Sequence, residues 1–226
     1  MHRLRGWSDL PDASGFAGMT PRRSFIRAGE ETRRASLIDA TLDLIASGGP
    51  QAATVRAIAL RAGVTPGLIR HYFATKEELI AAAHETLMLG LTEASTAHLD
   101  DLPDDPLARL AGFVANAVSP PVTDPRAMSL WAASMQVVPR DASMRAVHAA
   151  TYLQFRDLLQ GLIFDSLTAA DRPTHDIRAL AIAGNALLDG LWVEAGALPD
   201  HFETGEMKSI AIKAFSRLLE LELPEV

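Results

Sequence analysis

The chain has 226 residues, no cysteine, 48% hydrophobic and 22% charged residues, enough to bury a core without staples and without the thiols that disulfide scaffolds, thiol nucleophiles or Cys-ligated zinc and iron–sulfur sites require. No apolar run approaches the roughly 20 residues that span a bilayer, and the N-terminus lacks a secretory apolar stretch, so a cytoplasmic location is expected. The net charge of −7 hides a division: residues 1–78 carry eleven Lys/Arg against eight Asp/Glu, and residues 79–226 carry ten against twenty, a basic end suited to a polyanion on an acidic body.

Residues 1–29 hold four Gly, two Pro and five Arg with no helical apolar period and read as a flexible basic arm. Met19 is followed by Thr-Pro-Arg-Arg, like an ordinary basic start. Residues 1–18 therefore read as disordered or as an overlong start assignment. From Glu30 the pattern turns helical, with Leu37, Ile38, Leu42, Leu44 and Ile45 on one stripe that Ser47-Gly48-Gly49 ends. Thr54 caps a short helix carrying Val55, Ile58, Ala59 and Ala62, which breaks at Gly63. Thr65 caps the next, with Pro66 at its first position, where a missing N–H costs nothing.

Thr75-Lys-Glu-Glu78 is a capping box opening a helix to about residue 97. Asp105-Pro106 and Asp124-Pro125 predict helices over 105–118 and 125–138. Another is predicted over 141–168 with Tyr152, Phe155, Leu158, Leu159 and Leu162 inward. Thr174 is expected to cap a helix to about 195, and Thr204 the last, to about 222. No segment alternates with period two. The predicted fold is all-α with nine helices: an arm over 1–29, a three-helix head over 30–80, and a helical body over 81–226.

The informative stretch is Thr54 to Leu79, two short helices around a tight turn at Ala62-Gly63-Val64. This is a helix-turn-helix pattern, whose second helix enters the major groove of DNA with its N-terminal residues at the base edges. Residues 33–80 resemble the DNA-binding domain of TetR-type bacterial repressors. The likeness is carried by Thr54, Val55, Arg56, Ile58, Ala59, Ala62, Gly63, Val64, Thr65, Pro66, Gly67, Ile69, Tyr72, Phe73, Thr75, Lys76 and Leu79, matched without a gap. Position 70, often Tyr in that family, is Arg here, which changes the base read.

The resemblance implies that Thr54, Thr65, Tyr72 and Lys76 contact phosphates, and that Arg56, Pro66, Gly67, Arg70 and His71 face bases or the groove wall. Arg22, Arg23, Arg33 and Arg34 are candidates for backbone contacts, or else solvated surface charges. Two fragments of the body, Met128–Met135 and Ala186–Val193, resemble the betaine-synthesis, BetI-like branch of choline-responsive regulators. That branch implies a small-molecule effector of the homodimer, with double-stranded operator DNA as the other partner and no cofactor or metal.

Met128, Trp131 and Met135 share one helical face. With Phe113, Tyr152, Phe155 and Trp192 they are candidates for an aromatic cage around a cation, with Asp189 and Glu194 as candidate carboxylates, or else they pack the core. Two further stripes suit a four-helix dimer seam: Ile177, Ala181, Gly184, Leu188, Leu191 and Ala195, then Met207, Ile210, Ala214, Phe215, Leu218 and Leu221. The alternative for both is a seam inside one protomer. An enzyme is the competing class. The seven histidines show no metal spacing, and no phosphate loop, nucleophile elbow or dinucleotide fingerprint is present. An effector-independent DNA-binding protein of the same fold is the other alternative.

Overall fold

The structure, a computed structural model, describes the backbone of residues 21–225 except 103 and 199, with side chains from residue 29 onward. Among the described residues there are nine α-helices and no strand: α1 (Pro21–Gly48), α2 (Val55–Arg61), α3 (Pro66–Tyr72), α4 (Lys76–Thr96), α5 (Pro106–Ala117), α6 (Pro125–Val137), α7 (Ala142–Ala169), α8 (Ile177–Ala197) and α9 (Glu206–Leu219). Short 3₁₀ turns stand at Pro50–Ala52 and Leu99–Asp101. The all-α expectation holds. The first helix starts at Pro21 rather than Glu30, so residues 21–29 are helical. Gly29 is the one glycine in that stretch, and an isolated helical Gly costs only about 1 kcal/mol. The expectation for residues 1–18 lies outside the described residues.

Residues up to Ala35 belong to one compact unit and residues from Ser36 to another. In the first, residues 30–35 of α1 are exposed. In the second, the head is built on Leu37, Ile38 and Ile45 of α1, Ile58 and Ala59 of α2, Ile69 and Phe73 at α3, and Leu79 and Ile80 of α4. Leu130 of α6 and Met144 of α7 close the same cluster, so head and body share a core.

The turn between α2 and α3 is a Schellman motif. Gly63 takes φ 66, its N–H donates to the Leu60 carbonyl at 3.3 Å, and the Val64 N–H donates to the Ala59 carbonyl at 2.9 Å. Thr54 and Thr75 cap as their sequence context predicts, accepting from Ala57 N–H at 3.2 Å and Glu78 N–H at 3.0 Å. The Glu78 carboxylate closes the box on the Ala74 N–H, at 2.7 Å. Thr65 stands at the α3 cap position without a side-chain capping bond.

The body core gathers Leu110, Phe113 and Val114 of α5, Phe155, Leu159 and Ile163 of α7, Leu188 of α8, and Phe215 of α9. Leu158, read as inward, is exposed; the inward stripe of α7 runs through Thr151, Phe155, Leu159 and Ile163. Neither Thr174 nor Thr204 is a cap. The chain leaves α7 through a left-handed Asp171 (φ 52), and α8 starts after Asp176. Before α9, Gly205 takes φ 81 and the Glu206 carboxylate accepts from the Glu203 N–H at 2.9 Å. α9 ends at Leu219 because Glu220 turns left-handed; Leu221 and Leu223 then fold back into the core.

The small-residue stripe of α8 faces inward. Ala181, Gly184 and Leu188 are buried within the protomer, and a Cβ on Gly184 would stand 2.9 Å from the Phe215 ring. The seam those residues form is therefore α8 against α9 of one chain, which corrects the dimer reading for them. Both faces of α8 are apolar, and sequence periodicity alone does not say which one the protomer covers.

Candidate nucleic-acid interface and effector site

The helix-turn-helix presents its polar face to solvent. Thr54, Arg56, Thr65, Pro66, Gly67, Arg70 and His71 are exposed, and Tyr72 and Lys76 are half-buried. Pro66 and Gly67 make a first turn of α3 with little bulk, and nothing lies closer to a Cβ at Gly67 than the Thr65 hydroxyl at 3.9 Å. The His71 and Tyr72 rings meet edge to face at 5.2 Å.

The cations divide. Arg61 is spent at the surface on Asp43 of α1 at 2.7 Å, and the other oxygen of Asp43 takes Arg126 of α6 at 2.5 Å. Arg56, Arg70 and Lys76 enter no ion pair among the described residues. Arg33 and Arg34 are exposed on α1; the side chains of Arg22 and Arg23 lie outside the described residues.

In the body, the aromatic candidates form a chain. Trp131 and Trp192 meet edge to face at 5.5 Å, Trp192 and Phe155 stand 6.1 Å apart, and Phe155 and Phe113 are 5.1 Å apart. Phe113 and Phe155 belong to the α5–α7 core, so they back the site as its inner wall. Met128 packs with the two tryptophans and Met135 lies against them. The Trp192 indole N–H donates to the Ala117 carbonyl at 2.7 Å, which fixes its ring. A groove of about 540 Å³ runs between the Gly49–Gln51 turn, α6 and the end of α8, floored by Met128, Trp131 and Trp192.

Beside the tryptophans lies a polar cluster. The Tyr152 hydroxyl donates to Asp189 Oδ2 at 2.7 Å, and Asn185 Nδ2 donates to the Tyr152 oxygen at 2.6 Å and to Asp189 Oδ2 at 3.1 Å. Burial pushes the Asp189 carboxyl up from the usual carboxylate range, and the two donors pull it partway back. Burial and the adjacent carboxylate push the Tyr152 phenol up. No Lys or Arg pairs with Asp189 among the described residues. Asn185 Oδ1 and Trp131 Nε1 are buried without a partner. Glu194 is exposed.

Sequence reasoning missed three members of this constellation. Asn185 is one. The others are His84 of α4 and His148 of α7, joined Nε2 to Nδ1 at 3.1 Å, with the His148 ring 5.2 Å from that of Tyr152. Burial, and then His148, hold the His84 imidazole down at about 4; burial lowers His148 also. The available signal was position: His84 lies four residues from Ile80 and from Met88 on the inward stripe of α4.

Of the dimer candidates, Leu191, Ala214 and Leu218 are half-buried and Ile210 is exposed. The apolar residues left open on α8 are Ala179, Ile182, Ala183, Ala186, Val193 and Ala197.

Comparison with known proteins agrees with this arrangement. Residues 37–83 match the profile of bacterial regulatory proteins of the tetR family, and residues 106–220 match that of the C-terminal part of BetI-type transcriptional repressors. The chain is 33% identical over 197 residues to the HTH-type transcriptional regulator BetI of Klebsiella pneumoniae strain 342, covering 85% of this chain and 94% of that protein. A crystal structure of a transcriptional regulator of Pseudomonas aeruginosa PAO1 superposes with a TM-score of 0.78 at 31% identity, over 89% of this chain and 96% of that one. A regulator of Saccharomonospora viridis, solved in complex with choline, shares the fold with a TM-score of 0.70 at 18% identity, over 83% and 96% of the two chains. The head with its helix-turn-helix and the α5–α9 body thus match the two halves of one regulator, and the chain belongs to the TetR family of transcriptional regulators, with a C-terminal half of the BetI type.

Proposed function

We propose that this regulator is a homodimeric repressor that binds a palindromic operator and is released by a small cation. The single observation that carries the DNA reading is the set of exposed Arg56 and Arg70 and half-buried Lys76, without ion pairs among the described residues, around the low first turn of α3. Arg70 reads bases, and its Ala variant relaxes sequence preference by about 1–3 kcal/mol. Lys76 neutralises a phosphate, and its Ala variant weakens all sequences alike and flattens the salt slope by about one. Gel-shift titrations at several salt concentrations, on a duplex selected from a randomised pool by the wild-type protein, test both. Unchanged binding in the two variants overturns the assignment.

The effector reading is supported by Asp189: a half-buried carboxylate with two neutral donors, no basic partner among the described residues, and two tryptophans beside it. A buried anion is costly without a countercharge, and a cation over an aromatic face gains about 0.5–2 kcal/mol. Choline and betaine aldehyde are the probes. Calorimetry on the wild type, Trp131→Ala and Asp189→Asn decides: heat lost in both variants supports the site, and no heat in the wild type discards the cation. If no small molecule lowers operator affinity, the protein is an effector-independent DNA-binding protein of the same fold.

The dimer forms on the face that the protomer leaves open, through Ile182, Ala186 and Val193 of α8 with Ile210 and Ala214 of α9. Two copies are needed because one helix-turn-helix reads too few base pairs.

A further inference from the structure

The effector reading uses Asp189 and Tyr152 but leaves the buried His84–His148 pair without a role. The pair bridges α4, the helix that follows directly from the helix-turn-helix, to α7 of the body. His84 is 3% exposed. It lines a cavity of about 20 Å³ at the seam where the head core meets α6 and α7, against Leu42, Ile45, Ile80 and Leu130. The geometry points to a proton-operated joint: the neutral, hydrogen-bonded pair holds α4 against α7 in the DNA-competent arrangement, and a proton taken up by the pair opens the seam and releases DNA. This inference does not depend on the identity of the effector.

The hydrogen-bond network assigns the tautomer. If His84 donated from Nδ1, that N–H would be buried without an acceptor, because Nδ1 has no partner. His84 therefore donates from Nε2 to His148 Nδ1 and leaves Nδ1 as a bare lone pair in an apolar wall. An added proton has two places to go. On His84 Nδ1 it makes a cationic N–H facing aliphatic carbon. On His148 Nδ1 it removes the acceptor that joins the helices. Each outcome weakens the α4–α7 seam.

No group nearby cancels that charge. From α1, α4 and α6 the cavity that His84 lines is walled by aliphatic side chains and Ser134, whose hydroxyl already donates to the Trp131 carbonyl at 2.6 Å. On the His148 side stands Tyr152, with Asp189 and Asn185 of α8 behind it and Arg156 acting on the Tyr152 phenol. Neither imidazole pairs with a carboxylate among the described residues. Once the seam opens, water reaches the rings and each imidazole returns toward its ordinary 6.5. From His84 alone the open form then gains on the closed form by up to about 10-fold between pH 7.5 and 5.5.

The test reads protons as well as affinity. On a duplex selected by the wild-type protein at pH 8, fluorescence anisotropy is followed from pH 7.5 to 5.5. Wild-type affinity falls, His84 alone contributing up to about 10-fold, and the apolar double variant His84→Leu/His148→Leu, checked for folding by circular dichroism, shows no fall. A double variant that keeps the wild-type fall overturns the joint. The second measurement needs no change at the seam. His71→Gln removes the imidazole from the DNA face. Calorimetry of this variant with the duplex at pH 6, in two buffers of different ionisation enthalpy, shows net proton release on binding. Proton uptake, or no exchange, overturns the inference even if the double variant fails to fold.

Discussion

Leu188 is fully buried among α5, α7 and α9 of its own chain, and truncating it separates a protomer core from a dimer seam. Leu188→Ala removes about three CH2-equivalents at about 0.8 kcal/mol each, about 2.4 kcal/mol of transfer free energy. Phe215 and Leu159, both fully buried, leave the site little room to collapse, which adds a cavity cost of about 1 kcal/mol. The expected loss is about 3–4 kcal/mol, a fall of about 1–2 M in the urea midpoint. Sedimentation of the folded variant at low temperature should show the same oligomer as the wild type. Ile182→Glu should behave in the opposite way. Its side chain is 39% exposed, so the protomer folds normally, but in the proposed dimer a carboxylate buried against the symmetry mate should weaken association more than 100-fold, about 3 kcal/mol or more. A Leu188→Ala protein that keeps its unfolding midpoint yet sediments as a monomer would refute the reasoning and return the small-residue stripe to the interface.

Three further outcomes are expected. The His84 imidazole titrates near 4 in the folded protein against an ordinary 6.5, so the unfolded chain binds the proton first. The stability this group contributes is complete above pH 6.5, and about 3 kcal/mol of it is lost as pH falls through 4; urea unfolding from pH 7 to 4.5 should fall more steeply in the wild type than in the His84→Leu/His148→Leu variant. Asp171→Gly should stabilise by about 0.5–1 kcal/mol, because the Schellman turn after α7 holds a β-carbon residue at φ 52; a lower thermal midpoint would contradict that turn. Gly184→Ala should cost about 1–3 kcal/mol by pressing a methyl into the Phe215 ring, and a neutral effect on urea unfolding would show that α8 and α9 are not in close contact.

Legibility in the sequence followed the physical origin of each signal. Gly63, Thr54, Thr75, Asp105 and Asp141 act through bonds to residues two to four away, and such local chemistry is written in the string. The helix-turn-helix was therefore readable residue by residue. The start of α1 was not, because Arg-rich helix and Arg-rich arm share a composition. The faces of α8 were not, because Ala181–Leu188 and Ile182–Val193 are both apolar and only packing chooses between them. In the candidate site, Trp131, Trp192, Tyr152 and Asp189 were visible as residue types, and the structure brings them together. The His84–His148 bond spans 64 positions, and no local spacing announces such a pair.

The edge-to-face contact between Trp131 and Trp192 makes the molecule its own spectroscopic probe. Only three tryptophans are present, the third being Trp7, so Trp7→Phe leaves an emission that arises from this pair alone. Two indoles 5.5 Å apart exchange excitation and respond together to a quencher. Any compound that enters the groove alters the intensity or wavelength of that emission without a label or a DNA fragment. Candidate inducers can then be ranked by titration in a cuvette before the operator is known.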